Sequence, residues 1–260
     1  MQKDSFIQQY AAGLNIQQLA AVQAVNGPVL LLAVPGSGKT TVLVTRLGYM
    51  VLCCHVPPAQ ILTMTYTVAA THEMRSRFAA RFGDKLAAQM TFRTINGLSA
   101  VILQYYSRTY GRRQPELLTN EGDITRLLGD IWQQVNREFA TESTLKELRT
   151  AITYIKNMAL TDAEIEDMDT DLANLPELYR RYQAALKRAG QMDYDDQMVF
   201  ALQILRAAPP VLAYFQQRYR YFCVDESQDT SKIQHEIIRL LAGRSLNLFM
   251  VGDEDQSIYG

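Results

Sequence analysis

The segment that most restricts the fold of this chain is a glycine-rich turn between an apolar run and a helical pattern. Five apolar residues, 29–33, precede Val34-Pro-Gly-Ser-Gly-Lys-Thr40, and helical periodicity follows from about Lys39 to Leu52. Glycines let backbone N–H groups turn inward around phosphate oxygens, and the helix directs the positive end of its dipole at them. The segment therefore predicts a strand buried on both faces, a phosphate-binding loop and a helix.

The polar residues of this loop have predicted roles in binding a nucleotide. Lys39 is expected to neutralise charge on the β- and γ-phosphates, and the Thr40 hydroxyl is expected to bind Mg²⁺. The other residues expected to contact the nucleotide here are Pro35, Gly36, Ser37, Gly38 and Thr41. The pattern G-x-x-x-x-G-K-[ST] is incomplete because Ala33 stands at its first position. A plain turn between strand and helix is the alternative.

Strand and helix patterns alternate in the rest of the chain, except in its middle. Residues 61–65, 221–224 and 246–251 have strand patterns, and helical patterns run to about residue 82 and from about 232 to 242. This alternation predicts an α/β fold with a parallel sheet flanked by helices. Residues 96–190 show helical periodicity alone. We therefore expect an all-α insertion there, which divides the α/β domain into residues 1–95 and 191–260.

Acidic residues follow two of the predicted strands. Asp225 and Glu226 come directly after residues 221–224, and Asp253 to Gln256 follow the last strand. The carboxyl ends of parallel strands lie at one edge of a sheet, so these groups are expected beside the phosphate loop. Asp225 is predicted to hold Mg²⁺, and Glu226 to orient and deprotonate an attacking water. The alternative is acidic strand ends that face solvent.

Composition adds a charge division and excludes several classes of protein. The formal net charge is −1, but residues 1–113 carry +8 and the remainder −9. This division indicates a polyanionic partner for the first part and a cation for the second, or else scattered surface charge. Three cysteines without a C-x-x-C pair argue against a zinc site or disulfide framework and favour the cytoplasm. Without a signal peptide or an apolar run of about 20 residues, no membrane partner is expected.

Several sequence blocks occur in the order found in one family of motor proteins. The chain resembles the amino-terminal part of a UvrD/Rep/PcrA-like superfamily 1 DNA helicase. The blocks besides the phosphate loop are residues 14–22, Ile61-Leu-Thr-Met-Thr-Tyr-Thr67, Thr91-Phe92, Asp193-Tyr-Asp-Asp196, Asp225-Glu-Ser-Gln-Asp-Thr230 and Val251-Gly-Asp-Glu-Asp-Gln-Ser-Ile-Tyr259.

The resemblance implies a P-loop NTPase domain of the RecA-like type with a helical insertion. It implies a DNA-stimulated ATP hydrolase with Mg²⁺ as cofactor, which moves on single-stranded DNA and unwinds duplex DNA in repair or recombination. Other repair or recombination proteins are further candidate partners. Gln18 corresponds to the glutamine that reads adenine, although an ordinary polar residue on the first helix is the alternative. Gln228 and Gln256 correspond to glutamines that sense the γ-phosphate.

The resemblance also implies a DNA-binding segment. Its residues are Thr65, Tyr66, Thr67, Thr91, Arg93 and Thr94. Tyr66 would stack on a base, with a core tyrosine as the alternative. Five arginines, Arg75, Arg77, Arg81, Arg93 and Arg108, would follow the DNA backbone or form a solvated surface. The chain departs from the family pattern at Val34, at Val68-Ala-Ala-Thr71 and at Arg93, and the last two changes lie on the expected DNA side.

The chain stops shortly after the last of these blocks. In the family, ATP lies between two RecA-like domains, and the second one and its arginines are absent from residues 1–260. We therefore expect a truncated fragment that is weakly active or inactive in isolation. The alternative function is a nucleotide-gated DNA-binding subunit of a helicase-nuclease or recombination complex that does not itself unwind DNA. A small-molecule kinase is disfavoured because it explains neither Gln18 nor the acidic strand ends.

Overall fold

A computed structural model describes residues 1–34 and 36–253. The strands are β1 (Val29–Leu32), β2 (Ile61–Thr65), β3 (Thr91–Thr94), β4 (Glu116–Leu117), β5 (Gln191–Met192), β6 (Tyr221–Val224) and β7 (Leu248–Gly252). The α-helices are α1 (Lys3–Phe6), α2 (Ile16–Gln23), α3 (Lys39–Leu52), α4 (Val68–Phe82), α5 (Asp84–Ala87), α6 (Ile95–Tyr110), α7 (Glu121–Asn136), α8 (Glu142–Asn157), α9 (Asp162–Glu166), α10 (Leu175–Ala189), α11 (Tyr194–Ala207), α12 (Pro209–Arg218) and α13 (Lys232–Ala242). Short π- and 3₁₀-helical segments cover Ile7–Ala11, Pro58–Gln60 and Ser227–Asp229.

A five-stranded parallel sheet forms the centre of the first of two compact units. This unit comprises Met1–Leu98, Ala208–Thr230 and His235–Gly260. The strand order is β1-β7-β6-β2-β3, and each neighbouring pair is parallel. The predicted α/β class with a parallel sheet flanked by helices is therefore confirmed.

The sheet is unevenly buried. Every residue of β2 is buried because β2 has a strand on each side, whereas β1 pairs only with β7 in the described part of the chain. On β1, Leu30 and Leu32 are 59% and 50% exposed. The prediction that the first strand is buried on both faces was therefore wrong, because an apolar run does not reveal whether a strand is central or at an edge.

Helix α3 packs against the sheet and against α4 through a close helix contact. Gly48 lies on α3, and a Cβ atom there would be 2.1 Å from the ring of Phe82 on α4. The Phe82 ring is held among Phe6, Tyr10 and Phe78, with ring centroids 5.0–6.3 Å away. Glycine at position 48 is thus required by the space between the helices.

The second unit comprises Ser99–Ala207 and Ser231–Gln234. Its apolar core draws on α7, α8 and α10, as shown by the burial of Leu128, Ile152 and Leu178. It also contains the parallel pair β4 and β5, in which Glu116 pairs with Gln191. The unit is otherwise helical in its described elements, and two-residue strands are too short to give a sequence pattern.

The second unit also extends beyond the predicted boundary at residue 190, because buried charges attach residues 191–207 to it. Lys156 on α8 lies 2.5 Å from Asp193 Oδ2 and 2.8 Å from Asp196 Oδ1. Thr153 and Asn157, also on α8, donate hydrogen bonds to Asp195. Breaking such buried pairs leaves an uncompensated charge, so this segment belongs with the helices.

Two further features concern the length of the helices and the cysteines. Within the described residues, no single helix is long and apolar enough to cross a membrane, and only α11 and α12 counted together reach the length and composition of a span. Cys53, Cys54 and Cys223 are free thiols.

The contact between Gly48 and Phe82 gives a stability prediction. We expect Gly48→Ala to lower the free energy of unfolding by about 1–3 kcal/mol, because overpacking outweighs the gain of up to about 1 kcal/mol in helix propensity. Urea denaturation followed by circular dichroism measures the change. Gly129→Ala on α7 is the matched control, because its Cβ would lie 3.9 Å from Leu145 in ordinary contact. A Gly48→Ala variant as stable as Gly129→Ala contradicts the prediction.

Candidate nucleotide site

The phosphate loop joins β1 to α3 at the carboxyl edge of the sheet. Gly36 and Gly38 have φ angles of +78° and +84°, which favour glycine, and Gly38 is the N-cap of α3. The backbone N–H of Ser37 bonds to the Val34 carbonyl at 3.2 Å, which closes a tight turn. Helix α3 then begins at Lys39, so its free N–H groups face the loop. Pro35 lies outside the described residues.

Lys39 is buried at the mouth of this loop and has an acidic partner. Its ammonium group forms an ion pair with Asp253, which directly follows β7. Both side chains are more than nine-tenths buried. A buried ammonium group needs such a counter-charge, and Asp253 supplies it here.

Asp225 directly follows β6 and is fixed by the sheet. Its backbone N–H donates to the Met64 carbonyl at 2.9 Å, which continues the pairing between β6 and β2. The side chain is buried, and its Oδ1 atom has no hydrogen-bond partner within the described residues. Burial and the neighbouring charge of Glu226 raise the pKa of Asp225 to about 6. Burial and the like charge thus outweigh the favourable influence of Lys39 and Arg77 on this carboxylate.

Asp225 and Thr40 suit a magnesium ion bound together with a phosphate. Mg²⁺ in nucleotide sites is held by one or two carboxylates, water and substrate phosphates. Among residues 1–34 and 36–253, no three acidic, histidine or cysteine side chains form a metal-binding group. The orphaned Oδ1 of Asp225 thus fits an ion that would obtain its remaining ligands from outside the chain.

Glu226 adopts a strained backbone conformation and has a glutamine partner. Its φ and ψ angles are 52° and 49°, in the left-handed region that glutamate seldom enters. Gln228 Nε2 donates to Glu226 Oε2 at 2.6 Å, and Gln228 Oε1 accepts from the Asp253 N–H at 3.0 Å. Gln228 therefore connects the end of β6 to the end of β7. A Cβ at Gly252 would lie 3.0 Å from Gln228 Oε1, so glycine leaves room for this contact.

Gln18 lies against the phosphate loop from the other side. Asn15 and Gln18 form a capping box at the start of α2, in which each side chain bonds to the other's backbone N–H. Gln18 Nε2 also donates to the Ser37 carbonyl at 2.9 Å. Gln18 lines a cavity of about 210 Å³ together with Ser37 and Lys39, and Thr40 and Thr41 line another of about 370 Å³.

The predicted DNA-binding residues separate into two groups. Tyr66, 46% exposed, and the exposed Arg93 present their side chains to solvent. Thr65 is buried and its hydroxyl bonds to Thr71 at 2.6 Å, while Thr67 is the N-cap of α4. Thr67 is exposed but its hydroxyl caps α4, so of the second group only Thr65 is closed to a ligand by burial.

Strand β3 places the other two threonines at opposite ends. Thr94 pairs with Thr65 at the carboxyl edge, and its hydroxyl accepts from the Gly97 N–H at 2.9 Å. Thr91 pairs with Leu62 at the amino end of β3. Three residue steps of a strand span about 10 Å, so Thr91 is not brought to the edge where Tyr66 lies.

Three arginines of the predicted basic group already have partners inside the chain. Arg77 forms an ion pair with Glu73 at 2.5 Å, and Arg81 donates to the Tyr10 carbonyl. Arg75 lies 5.7 Å from the centre of the Phe92 ring. Of these three contacts, only the exposed ion pair of Arg77 opposes the positive charge of the arginine.

Sequence reasoning gave Asp253 little weight and missed Arg46. The signal for Asp253 was its place after a strand, which put it at the same sheet edge as Asp225. The signal for Arg46 was one charge in the otherwise nearly apolar run from Val42 to Met50. Gln256 lies outside the described residues, so its predicted contact with the γ-phosphate stays a prediction.

The sequence matches one protein family over most of its length. The family described as "UvrD/REP helicase N-terminal domain" matches residues 14–260. The chain belongs to this family. The family assignment made from the ordered blocks is therefore confirmed.

Curated relatives of the chain have the name "ATP-dependent DNA helicase PcrA" and are longer than the chain. The chain is 35% identical over 253 residues to "ATP-dependent DNA helicase PcrA" of Leuconostoc citreum, with 95% of the chain and 33% of the relative covered. It is 32% identical over 249 residues to the PcrA protein of Staphylococcus aureus strain NCTC 8325, with 95% and 34% covered. The corresponding Staphylococcus epidermidis protein is 33% identical over 252 residues, with 95% and 34% covered. The chain spans about a third of the length of these relatives.

The raised pKa of Asp225 predicts a pH-dependent stability. Below about pH 3 the carboxyl is protonated in both the folded and the unfolded chain, and its contribution to stability is lost as the pH rises from its ordinary pKa through about 6. At about pH 7.5 without Mg²⁺, we expect Asp225→Asn to raise the free energy of unfolding by about 2–3 kcal/mol, at about 1.4 kcal/mol per pKa unit. The gain should disappear at about pH 3.

Urea denaturation at the two pH values measures this difference. Asp130→Asn, an exposed change on α7, is the control and should alter neither value. Addition of Mg²⁺ should stabilise the wild type more than Asp225→Asn. Equal stability of wild type and Asp225→Asn at about pH 7.5 contradicts the prediction.

Proposed function

We propose that this chain is the ATP-binding amino-terminal part of an ATP-dependent DNA helicase or translocase. The whole protein would move on single-stranded DNA and unwind duplex DNA in repair or recombination. The observation that carries the proposal is the meeting of Lys39, Asp225 and Glu226 at the carboxyl edge of one parallel sheet. Membership of the UvrD/REP family and the names of the relatives support it.

In this proposal, the first unit is the RecA-like domain and the second unit is its helical insertion. Lys39 exchanges Asp253 for the β- and γ-phosphates, and the N–H groups at the start of α3 bind phosphate oxygens. Residues 36–38 and Thr41 contact the nucleotide beside them. Gln18 reads the adenine edge and so selects ATP over GTP. The proposal also includes the predicted contacts of Pro35 and Gln256 with the nucleotide.

Thr40 and Asp225 would hold Mg²⁺, which neutralises phosphate charge when it is bound. Glu226 orients the attacking water and takes its proton. Gln228 contacts both Glu226 and the backbone of Asp253. It transmits the presence or absence of the γ-phosphate from Glu226 to the end of β7. A second RecA-like domain in the whole protein would close the other side of the cleft and supply arginines.

The same edge of the sheet supports a path for single-stranded DNA. Tyr66 offers an exposed ring for stacking, and Arg93 a charge for the phosphate backbone. Thr65, Thr67 and Thr94 hold the backbone that presents these two side chains. Thr91 would contact the DNA only if the single-stranded DNA also passed the amino end of β3. The free thiols of the three cysteines support a cytoplasmic setting. DNA, ATP and other repair or recombination proteins are the proposed partners.

The proposed role of Glu226 predicts a separation of binding from hydrolysis. In the whole protein, we expect Glu226→Gln to lower DNA-stimulated ATP hydrolysis by about 10²–10⁴-fold, because the general base is lost. The dissociation constant for Mg-ATP should stay within about threefold, because phosphate contacts remain. Phosphate release and nucleotide titration measure the two quantities, with the exposed Glu138→Gln as control. Full turnover in Glu226→Gln excludes this role.

The proposed stacking role of Tyr66 predicts weaker DNA binding when the ring is removed. Tyr66→Ala should weaken binding to a single-stranded oligonucleotide by about 1–3 kcal/mol, and Tyr66→Phe should keep most of the affinity. Fluorescence anisotropy at fixed salt measures the change. Tyr154→Ala, which removes a ring of similar exposure at 44%, is the control. Equal affinity of Tyr66→Ala and wild type rules out stacking, and binding without duplex unwinding favours the nucleotide-gated subunit instead.

A further inference from the structure

A buried arginine lies two turns into the helix that follows the phosphate loop. Arg46 on α3 is 2% exposed. Its Nη1 atom donates to the Ala21 carbonyl at 2.7 Å and to the Ala24 carbonyl at 2.6 Å, and Nη2 donates to the Val25 carbonyl at 3.2 Å. All three acceptors lie in the last turn of α2 or just beyond it. Arg46 thus satisfies carbonyl groups that the end of a helix leaves without partners.

The charge of Arg46 is balanced by dipoles and an aromatic ring. No acidic side chain forms an ion pair with it in the described part of the chain, and burial lowers the pKa of its guanidinium. The negative end of the α2 dipole faces the guanidinium, which lies 4.2 Å from the centre of the Phe249 ring on β7. A planar, delocalised cation suits this place better than an ammonium group does.

Helix α2 is short and is held at both of its ends. It has eight residues, a length at which a helix is marginal without tertiary contacts. At its start, Gln18 bonds to the phosphate loop through Ser37, and at its end Arg46 holds three carbonyls. Arg46 lies on α3, and the phosphate loop leads directly into α3. The two contacts therefore fix α2 against the loop and the helix that follows it.

We propose that Arg46 is a positioning residue that holds α2 so that the Gln18 amide faces the base of a bound nucleotide, and thereby sets the preference for adenine. This inference rests on the proposed function, in which Gln18 reads adenine. Without the guanidinium, the carboxyl-terminal end of α2 separates from α3 and Gln18 loses its fixed orientation. Lys39 and the N–H groups at the start of α3 lie outside α2, so their phosphate contacts persist although the loop loses the bond from Gln18 to Ser37.

The test compares adenine and guanine nucleotides on the full chain with Mg²⁺. Titration with fluorescent ATP and GTP derivatives gives the dissociation constants for wild type, Arg46→Lys, Arg46→Met and Gln18→Ala. We expect the two Arg46 variants and Gln18→Ala each to weaken ATP binding about tenfold, the value of one good hydrogen bond, and to change GTP binding less than about twofold. Combining Gln18→Ala with Arg46→Met should add nothing further, because both changes remove the same contact.

Two measurements separate this role from a general loss of stability. Ile238→Ala, a buried change on α13, should lower stability and keep the ratio of ATP to GTP affinity. Hydrogen exchange should accelerate at least tenfold in the amides of α2 in Arg46→Met and stay unchanged in α13. Equal loss of ATP and GTP affinity, or unchanged exchange in α2, overturns the assignment of Arg46.

The outcomes also distinguish this inference from the function on which it rests. A wild-type chain that binds ATP and GTP equally, or is unaffected by Gln18→Ala, contradicts the proposed adenine contact and removes the basis for the specificity role. A wild-type preference for ATP that persists in Arg46→Met overturns the Arg46 assignment alone.

Discussion

Parallel pairing of β1, β7 and β6 is the constraint on which the rest of the first unit depends. Because these strands run in one direction, their carboxyl ends meet at one edge, and the residues that follow them meet there too. Lys39 and Asp253 are 214 positions apart in sequence and form a buried ion pair. If one of these strands ran in the opposite direction, the acidic residue that follows it would lie at the opposite edge of the sheet.

Three buried charged groups of this unit have different surroundings. Lys39 pairs with a carboxylate. Arg46 donates to helix carbonyls and lies against an aromatic ring, while its Nε atom has no hydrogen-bond partner within the described residues. These contacts hold the sheet, α2 and α3 together. Asp225 has an oxygen without a partner within the described residues and no carbonyls or ring to spread its charge, so burial favours its protonated form.

The candidate site could be predicted from sequence where short segments carry it. Gly36, Gly38 and the start of α3 at Lys39 follow from local conformation, and Asp225 and Glu226 follow from their place after a strand. The DNA-binding segment was predicted as a set of equivalent residues, but its threonines differ. Thr65 and Thr67 bond to their own turn and helix, as short hydroxyl side chains often do, and only tertiary contacts reveal which side chains remain exposed.

By itself, the sequence determined the strand, loop and helix around the phosphate site, the parallel α/β class and the family, because these depend on periodicity, caps and ordered blocks. The tertiary structure alone decided the strand order, the exposure of Leu30 and Leu32, the partner of Lys39 and the burial of Arg46. It also assigned residues 191–207 to the helical unit through Lys156 and its acidic partners. Each of these depends on which distant residues share a low-dielectric environment, and no local pattern encodes that choice.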